Sequence, residues 1–142
     1  MSHQLPAYSL PVSDETVPFW VALGEGRLDL PVCDACGHHI WYPRSWCPVC
    51  QHESVTWTTL SGRGTVYART IIHKSMGPWR EAAPFVVAYV ELDEGPRVLT
   101  NVVTDDPAAV DVGTAVAAVF VPVDEPVEGS PASHLLRFAP TG

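Results

Sequence analysis

The chain is predicted to be mainly β, with one short helix leading into a zinc ribbon and then a five-stranded OB-fold barrel. Three observations predict this. Cys33, Cys36, Cys47 and Cys50 form a C-x2-C-x10-C-x2-C pattern with no cysteine left over. Two close pairs separated by a short loop are the spacing of a tetrahedral four-thiolate metal site. From Val55 onward, runs rich in Thr, Val, Tyr and Ile alternate with turns built from Gly, Pro and Asp, the signature of successive strands. Their order is strand, strand, strand, short helix, strand, strand, with a long, bent first strand, which is the plan of an OB-fold.

Taken in order, residues 1–13 read as an irregular tail with two prolines. A helix of about two turns follows over residues 14–24. Ser13 or Thr16 would cap it, Pro18 is tolerated in its first turn, and Gly24 or Gly26 would end it. It is apolar on more than one side, with Val17, Trp20 and Val21 on one and Phe19 and Leu23 on another. So short a helix is not stable alone, so its own domain or a partner must cover it.

Leu28, Leu30 and Val32 alternate as a strand entering the first cysteine turn. Gly37 follows Cys36, where positive φ lets backbone N–H groups turn toward the sulfurs. Gln51, after Cys50, is a less suitable residue for the same task. His38, His39 and His52 lie near the cysteines and read as surface residues rather than ligands. Residues 40–43 connect the two halves of the ribbon.

Residues 55–74 read as the long first strand, bent by glycine at Ser61-Gly62-Arg63-Gly64. Phe85 to Leu92, Arg97 to Val103, Ala115 to Val123 and His134 to Phe138 supply the other four, with a capped helical turn at 105–110. Both faces of the second strand are apolar, so it is expected to be covered on both sides. The expected organisation is residues 1–27 as tail and helix, 28–53 as zinc ribbon and 54–142 as OB-fold.

Composition narrows the functional classes. With 16 acids against 8 Lys and Arg the net charge is −8, unlike a generic nucleic-acid binder. Residues 27–80 nevertheless hold six cations against three acids, while 81–142 hold ten acids against two arginines. The locally basic middle could meet a small anionic ligand, or could be scattered solvated charge. No apolar run resembles a signal peptide or approaches the roughly 18 residues of a membrane helix. A cytoplasmic location is therefore expected, where paired cysteines are metal ligands more often than disulfides.

No catalytic constellation is apparent. The cysteines are committed to metal, and the chain has no G-x-S-x-G elbow, P-loop or dinucleotide fingerprint. His73 beside Lys74 is the one internal pair suited to a proton shuttle, and Glu91 and Asp93 lead into a turn. Arg63, Arg69, Lys74, Trp79 and Arg80 carry more weight as a group, and all of them but Arg69 are the candidates for a nucleotide. Residues 75–84 join the first two barrel strands, a connection that borders the ligand face of OB-folds. An arginine and a tryptophan there could hold a phosphate and stack on a base. Single-stranded nucleic acid or the nucleotide end of coenzyme A would suit that equipment. Phe19, Trp20, Trp41, Tyr42 and Trp46 give the helix and ribbon more aromatic surface than so small a module can bury, and are expected to form a partner interface.

Several segments together carry a resemblance: Phe19-Trp20, Leu30-Pro31-x-Cys33-x2-Cys36-Gly37, Tyr42-Pro43-Arg44, Cys47-Pro48-x-Cys50, residues 61–67, residues 84–95 and Gly113-x2-Val116. In register they resemble the zinc-ribbon/OB-fold family of acyl-CoA-associated proteins, over about residues 17–138. The resemblance implies N-terminal helices, a rubredoxin-like ribbon and an OB-fold. It implies a structural zinc and an acyl-CoA ligand. It also implies a non-catalytic scaffold subunit whose partner, a thiolase-superfamily enzyme or a retro-aldolase of steroid side-chain degradation, carries the catalytic residues. Gln51 departs from the glycine usual in the second cysteine turn. A nucleic-acid-binding ribbon/OB module and a stand-alone CoA-thioester enzyme are the alternatives.

Overall fold

The computed structural model describes residues 5–141; the first four residues of the expected tail lie outside that range. A 3-10 turn at Asp14–Thr16 runs into helix α1, Val17–Gly24. Neither expected cap is used as one, because the Thr16 hydroxyl donates instead to the Ser13 carbonyl at 3.0 Å. Pro18 sits in the first turn, where no N–H is missed. The helix buries Phe19, Trp20, Ala22 and Leu23, so most of its circumference is covered by its own chain.

Strand β1, Asp29–Cys33, pairs antiparallel with β2, Val55–Thr59, as a two-stranded sheet. The barrel strands are β3 (Arg63–Ile72), β4 (Phe85–Leu92), β5 (Arg97–Val102), β6 (Ala115–Pro122) and β7 (His134–Pro140). They close in the order β3-β4-β5-β7-β6. The parallel contact of β5 with β7, at Val102 and Phe138, lets the last strand return between its two predecessors.

One expectation is corrected here. Residues 55–74 are not a single bent strand: 55–59 complete the ribbon sheet, and the barrel starts only at Arg63. The break is local chemistry. Gly62 takes φ +76°, and a Cβ there would lie 3.2 Å from that of Ala118. The Ser61 N–H meanwhile turns to Glu94 Oε2 at 2.8 Å. Gly64 is needed for a different reason, since a Cβ would meet the Glu91 carbonyl oxygen at 2.5 Å. The capped helical turn expected at 105–110 is a single 3-10 turn, Pro107–Ala109, without a side-chain cap.

A single apolar core joins helix, ribbon and barrel. Phe19, Leu23, Leu28, Leu30, Val66, Val90, Val102 and Phe138 are all buried within it. The ribbon's own core is small by contrast, consisting of Cys33, Ile40 and Cys47 with Val55 against them. The outer face of β4 is covered only at its start. Phe85 is buried with Leu5 and Ala82, whereas Tyr89 remains 46% exposed. The N-terminal segment provides that cover, running across the barrel: the Ala7 N–H donates to the Asp124 carboxylate at 2.9 Å, and the Asp124 N–H donates to the Ala7 carbonyl at 2.7 Å. Among the described residues no helix is long and apolar enough to cross a membrane.

Candidate metal centre and binding surface

The two cysteine turns are near copies of each other. Cys33 N–H donates to the His38 carbonyl and Gly37 N–H to the Cys33 carbonyl, both at 2.9 Å. In the second turn Cys47 N–H donates to His52 at 2.9 Å, and Gln51 N–H to Cys47 at 2.8 Å. Gly37 has φ +76° and Gln51 φ +67°. Gln51 thus adopts the left-handed conformation that glycine takes freely and an L-residue takes at a cost.

These turns bring the four sulfurs within 4.8 Å of one another. Cys33 Sγ lies 3.5 Å from Cys50 Sγ, and Cys36 Sγ lies 3.6 Å from Cys47 Sγ. A disulfide requires about 2 Å. A tetrahedron of thiolates at about 2.3 Å from zinc has edges of about 3.8 Å, so the donor set fits the ion. Cys36 N–H points at Cys33 Sγ from 3.4 Å and, as the largest influence, draws that thiol down to about 6. That N–H favours the charged thiolate at Cys33, whereas at Cys36 the His38 N–H is outweighed by burial and the three neighbouring thiols, which push it up to about 12. With four protein ligands the site is closed, and its contribution is folding energy rather than chemistry.

The aromatic residues of helix and connector form one cluster. Phe19 meets Trp20, Trp41 and Tyr42 edge-on at centroid distances of 5.3, 5.7 and 5.8 Å, and Trp41 meets Tyr42 at 5.2 Å. Glu15 fixes the helix to the connector by accepting from the Ser45 N–H and hydroxyl at 3.0 and 3.1 Å. The exposure expected of Phe19 and Trp20 is not found: they are 2% and 3% exposed. The helix turns them inward because the barrel and β1 offer it an apolar bed, and an eight-residue helix is held by packing or not at all. Tyr42 and Trp46 do reach the surface, at 39% and 42% exposed, and Arg44 lies over the Trp46 ring at 5.5 Å. Trp41 is half-buried between the two groups.

The four residues considered for a nucleotide are only partly brought together. Lys74 and Arg80 line one open cavity of about 620 Å³ with His73, Ser75, Met76 and Gly77. Arg63 stands at the other end of the ten-residue strand β3, separated by about 33 Å of strand path. Trp79 is half-buried and turned away from that cavity, packed on Phe85 at 4.9 Å with the Arg137 guanidinium 5.9 Å from its ring. Glu91 accepts a hydrogen bond from Arg97 Nε at 3.0 Å. Arg97 in turn lies over the Tyr67 ring at 3.8 Å.

Sequence reasoning passed over Arg137. It is 5% exposed and donates to the Leu5 and Pro6 carbonyls. A lone charge inside the apolar run Leu135-Leu136-Arg137-Phe138 was the available signal.

Comparison with known proteins places both halves of the chain. Residues 20–55 match the ChsH2 rubredoxin-like zinc ribbon domain, and residues 57–121 match the ChsH2 C-terminal OB-fold domain. A DUF35 domain-containing scaffold protein of Methanothermobacter thermautotrophicus is 33% identical over 128 residues, covering 89% of this chain and 96% of that protein. The 3-oxo-4,17-pregnadiene-20-carboxyl-CoA hydratase alpha subunit of Mycobacterium tuberculosis is 35% identical over 112 residues, 77% of this chain but 34% of that protein. The chain therefore spans about a third of that subunit's length. Among solved structures, the Ltp2-ChsH2(DUF35) aldolase superposes with a TM-score of 0.74 at 29% identity, covering 92% of this chain and 98% of that one.

Proposed function

Because the chain belongs to the ChsH2/DUF35 family of zinc-ribbon and OB-fold proteins, we propose that it is a non-catalytic accessory subunit of an acyl-CoA-processing enzyme. The observation that carries this reading is the end-to-end likeness to the DUF35 chain of an aldolase complex, at 98% coverage of that chain. The likeness to a CoA-thioester hydratase alpha subunit supports the same class of assembly. The partner is an aldolase or thiolase-type enzyme that supplies the reacting residues, and the substrate is a bulky acyl-CoA of steroid, lipid or aromatic origin.

Within that assembly the zinc site keeps the ribbon folded, and the ribbon in turn presents the aromatic connector. Trp41, Tyr42 and Trp46 are the partner-facing residues, with Phe19 and Trp20 as the buried base that fixes their positions. Lys74 and Arg80 face the coenzyme's phosphates, for which two cations around one open cavity are chemically suited. Arg63 and Trp79 are left out of this cluster by their placement, and any contact they make with coenzyme A is separate from it.

The deciding experiment is co-purification of the untagged chain from its native source, followed by activity of the partner with and without it. A stable complex whose partner loses acyl-CoA turnover when the chain is removed is the expected result. A partner fully active alone and indifferent to this chain would overturn the proposal.

A further inference from the structure

A second cavity, of about 520 Å³, opens between the N-terminal segment, the aromatic cluster and the outer surface of β5 and β7. Its size is ordinary for a small-molecule site. Pro6, Tyr8 and Leu10 form one wall, and Trp20, Trp41 and Tyr42 contribute to the second. Leu99, Leu136 and Arg137 belong to the barrel side, where Trp79 also lies. The lining is mostly apolar and rich in aromatic rings, with Thr100 and Asn101 among its polar groups and Arg137 as the one charged side chain.

Arg137 decides what such a cavity selects. The ion pairs among the described residues are made by Arg27, Arg69 and Arg97; Arg137 makes none. Its two hydrogen bonds go to neutral carbonyls. Asp124, the acid that acts on it from a distance, already accepts the Ala7 N–H at 2.9 Å. A buried cation without a counter-charge is costly, and an anion that reaches it recovers that cost. Burial accordingly pushes the Arg137 guanidinium below its usual value.

We propose that this cavity binds a flat, apolar carboxylate, with its rings among the aromatic side chains and its carboxylate against Arg137. The site is distinct from the Lys74 and Arg80 cavity and does not depend on the accessory-subunit reading. A CoA thioester has no charge at its acyl end and would leave Arg137 uncompensated.

The test uses the full zinc-loaded chain and calorimetric titration with naphthoate, its neutral isostere naphthamide, and naphthoyl-CoA. Naphthoate should bind about ten-fold or more tightly than naphthamide. Leu99 is 52% exposed at the rim, so its substitutions leave the fold intact. Leu99→Glu should weaken naphthoate binding by about ten-fold, while Leu99→Lys should preserve or strengthen it. Arg137→Gln should abolish the preference for acid over amide; because Arg137 also holds the N-terminal segment, the Leu99 pair keeps the test valid if that variant does not fold. Equal affinity for acid and amide, or no naphthoate binding at millimolar concentration, would overturn the proposal. Binding of naphthoyl-CoA alone would also overturn it, while leaving the accessory-subunit reading standing. Loss of the partner complex with naphthoate binding intact would have the opposite meaning.

Discussion

Replacing Phe19 with alanine separates the two roles assigned to the aromatic cluster. Phe19 is 2% exposed and makes three edge-on contacts between 5.3 and 5.8 Å. Truncation of a buried phenylalanine costs about 3–5 kcal/mol, and each lost edge-on pair is worth about 0.5–1.5 kcal/mol beyond area burial. The upper end of the first range is therefore expected. At about 2.1 cal/mol/K per residue over 142 residues, a loss of about 5 kcal/mol lowers melting by about 17 °C, and a chain of mid-range stability, about 10 kcal/mol, stays folded at 25 °C. Trp46→Ala is the counterpart. Trp46 is 42% exposed and held by one cation–π contact, so its loss costs at most about 1 kcal/mol. Urea unfolding followed by tryptophan fluorescence, with zinc measured per chain, reads both variants. Zinc content should be unchanged in each, because the sulfurs sit in turns that Phe19 does not touch. A Phe19→Ala loss below about 1 kcal/mol would refute the claim that helix and connector share one core. If Trp46→Ala then weakens partner binding with melting unchanged, the connector is the interface.

Cys33→Ser or Cys47→Ser should release the metal and unfold the ribbon, since two of its three fully buried core residues are themselves ligands; hydrogen exchange should show the barrel still protected. Gln51→Gly should raise stability by about 1 kcal/mol by relieving the left-handed backbone at φ +67°, measured as a higher urea midpoint, and a lower midpoint would contradict it. Gly64→Ala should be strongly destabilising, by more than about 3 kcal/mol, because the new Cβ would meet a strand carbonyl at 2.5 Å rather than a movable side chain; a melting temperature within error of the parent would count against that contact. Lys74→Ala with Arg80→Ala should weaken coenzyme A binding to the complex about ten-fold or more without changing melting, and an unchanged titration would remove these residues from the site.

Much of the fold was legible because its signals are local. Cysteine spacing defines two turns and a ligand set whatever lies around them. Alternating β-branched residues and glycine-rich turns marked four of the five barrel strands to within two residues. The fifth was blurred by Ser61-Gly62-Arg63-Gly64, where one bend separates strands belonging to different sheets. Strand propensity is the same on both sides of that bend, and only pairing with β1 assigns 55–59 to the ribbon.

What the sequence alone determined was the thiolate site, the order of strands and the presence of an aromatic excess near the ribbon. Tertiary structure decided which aromatics are spent internally. Phe19 and Trp20 go to the core and Trp46 to the surface because a short helix persists only by burying the side its neighbours can cover. It also decided which cations share a cavity. Lys74 and Arg80 line the same one, whereas Arg63 is carried away along an extended strand. Arg137 looked like one more charge in a strand. Its burial depends on residues 5 and 6 folding back across 132 and 131 positions of chain to lie over it, a tertiary contact that the lone charge within Leu135-Leu136-Arg137-Phe138 flags but cannot specify.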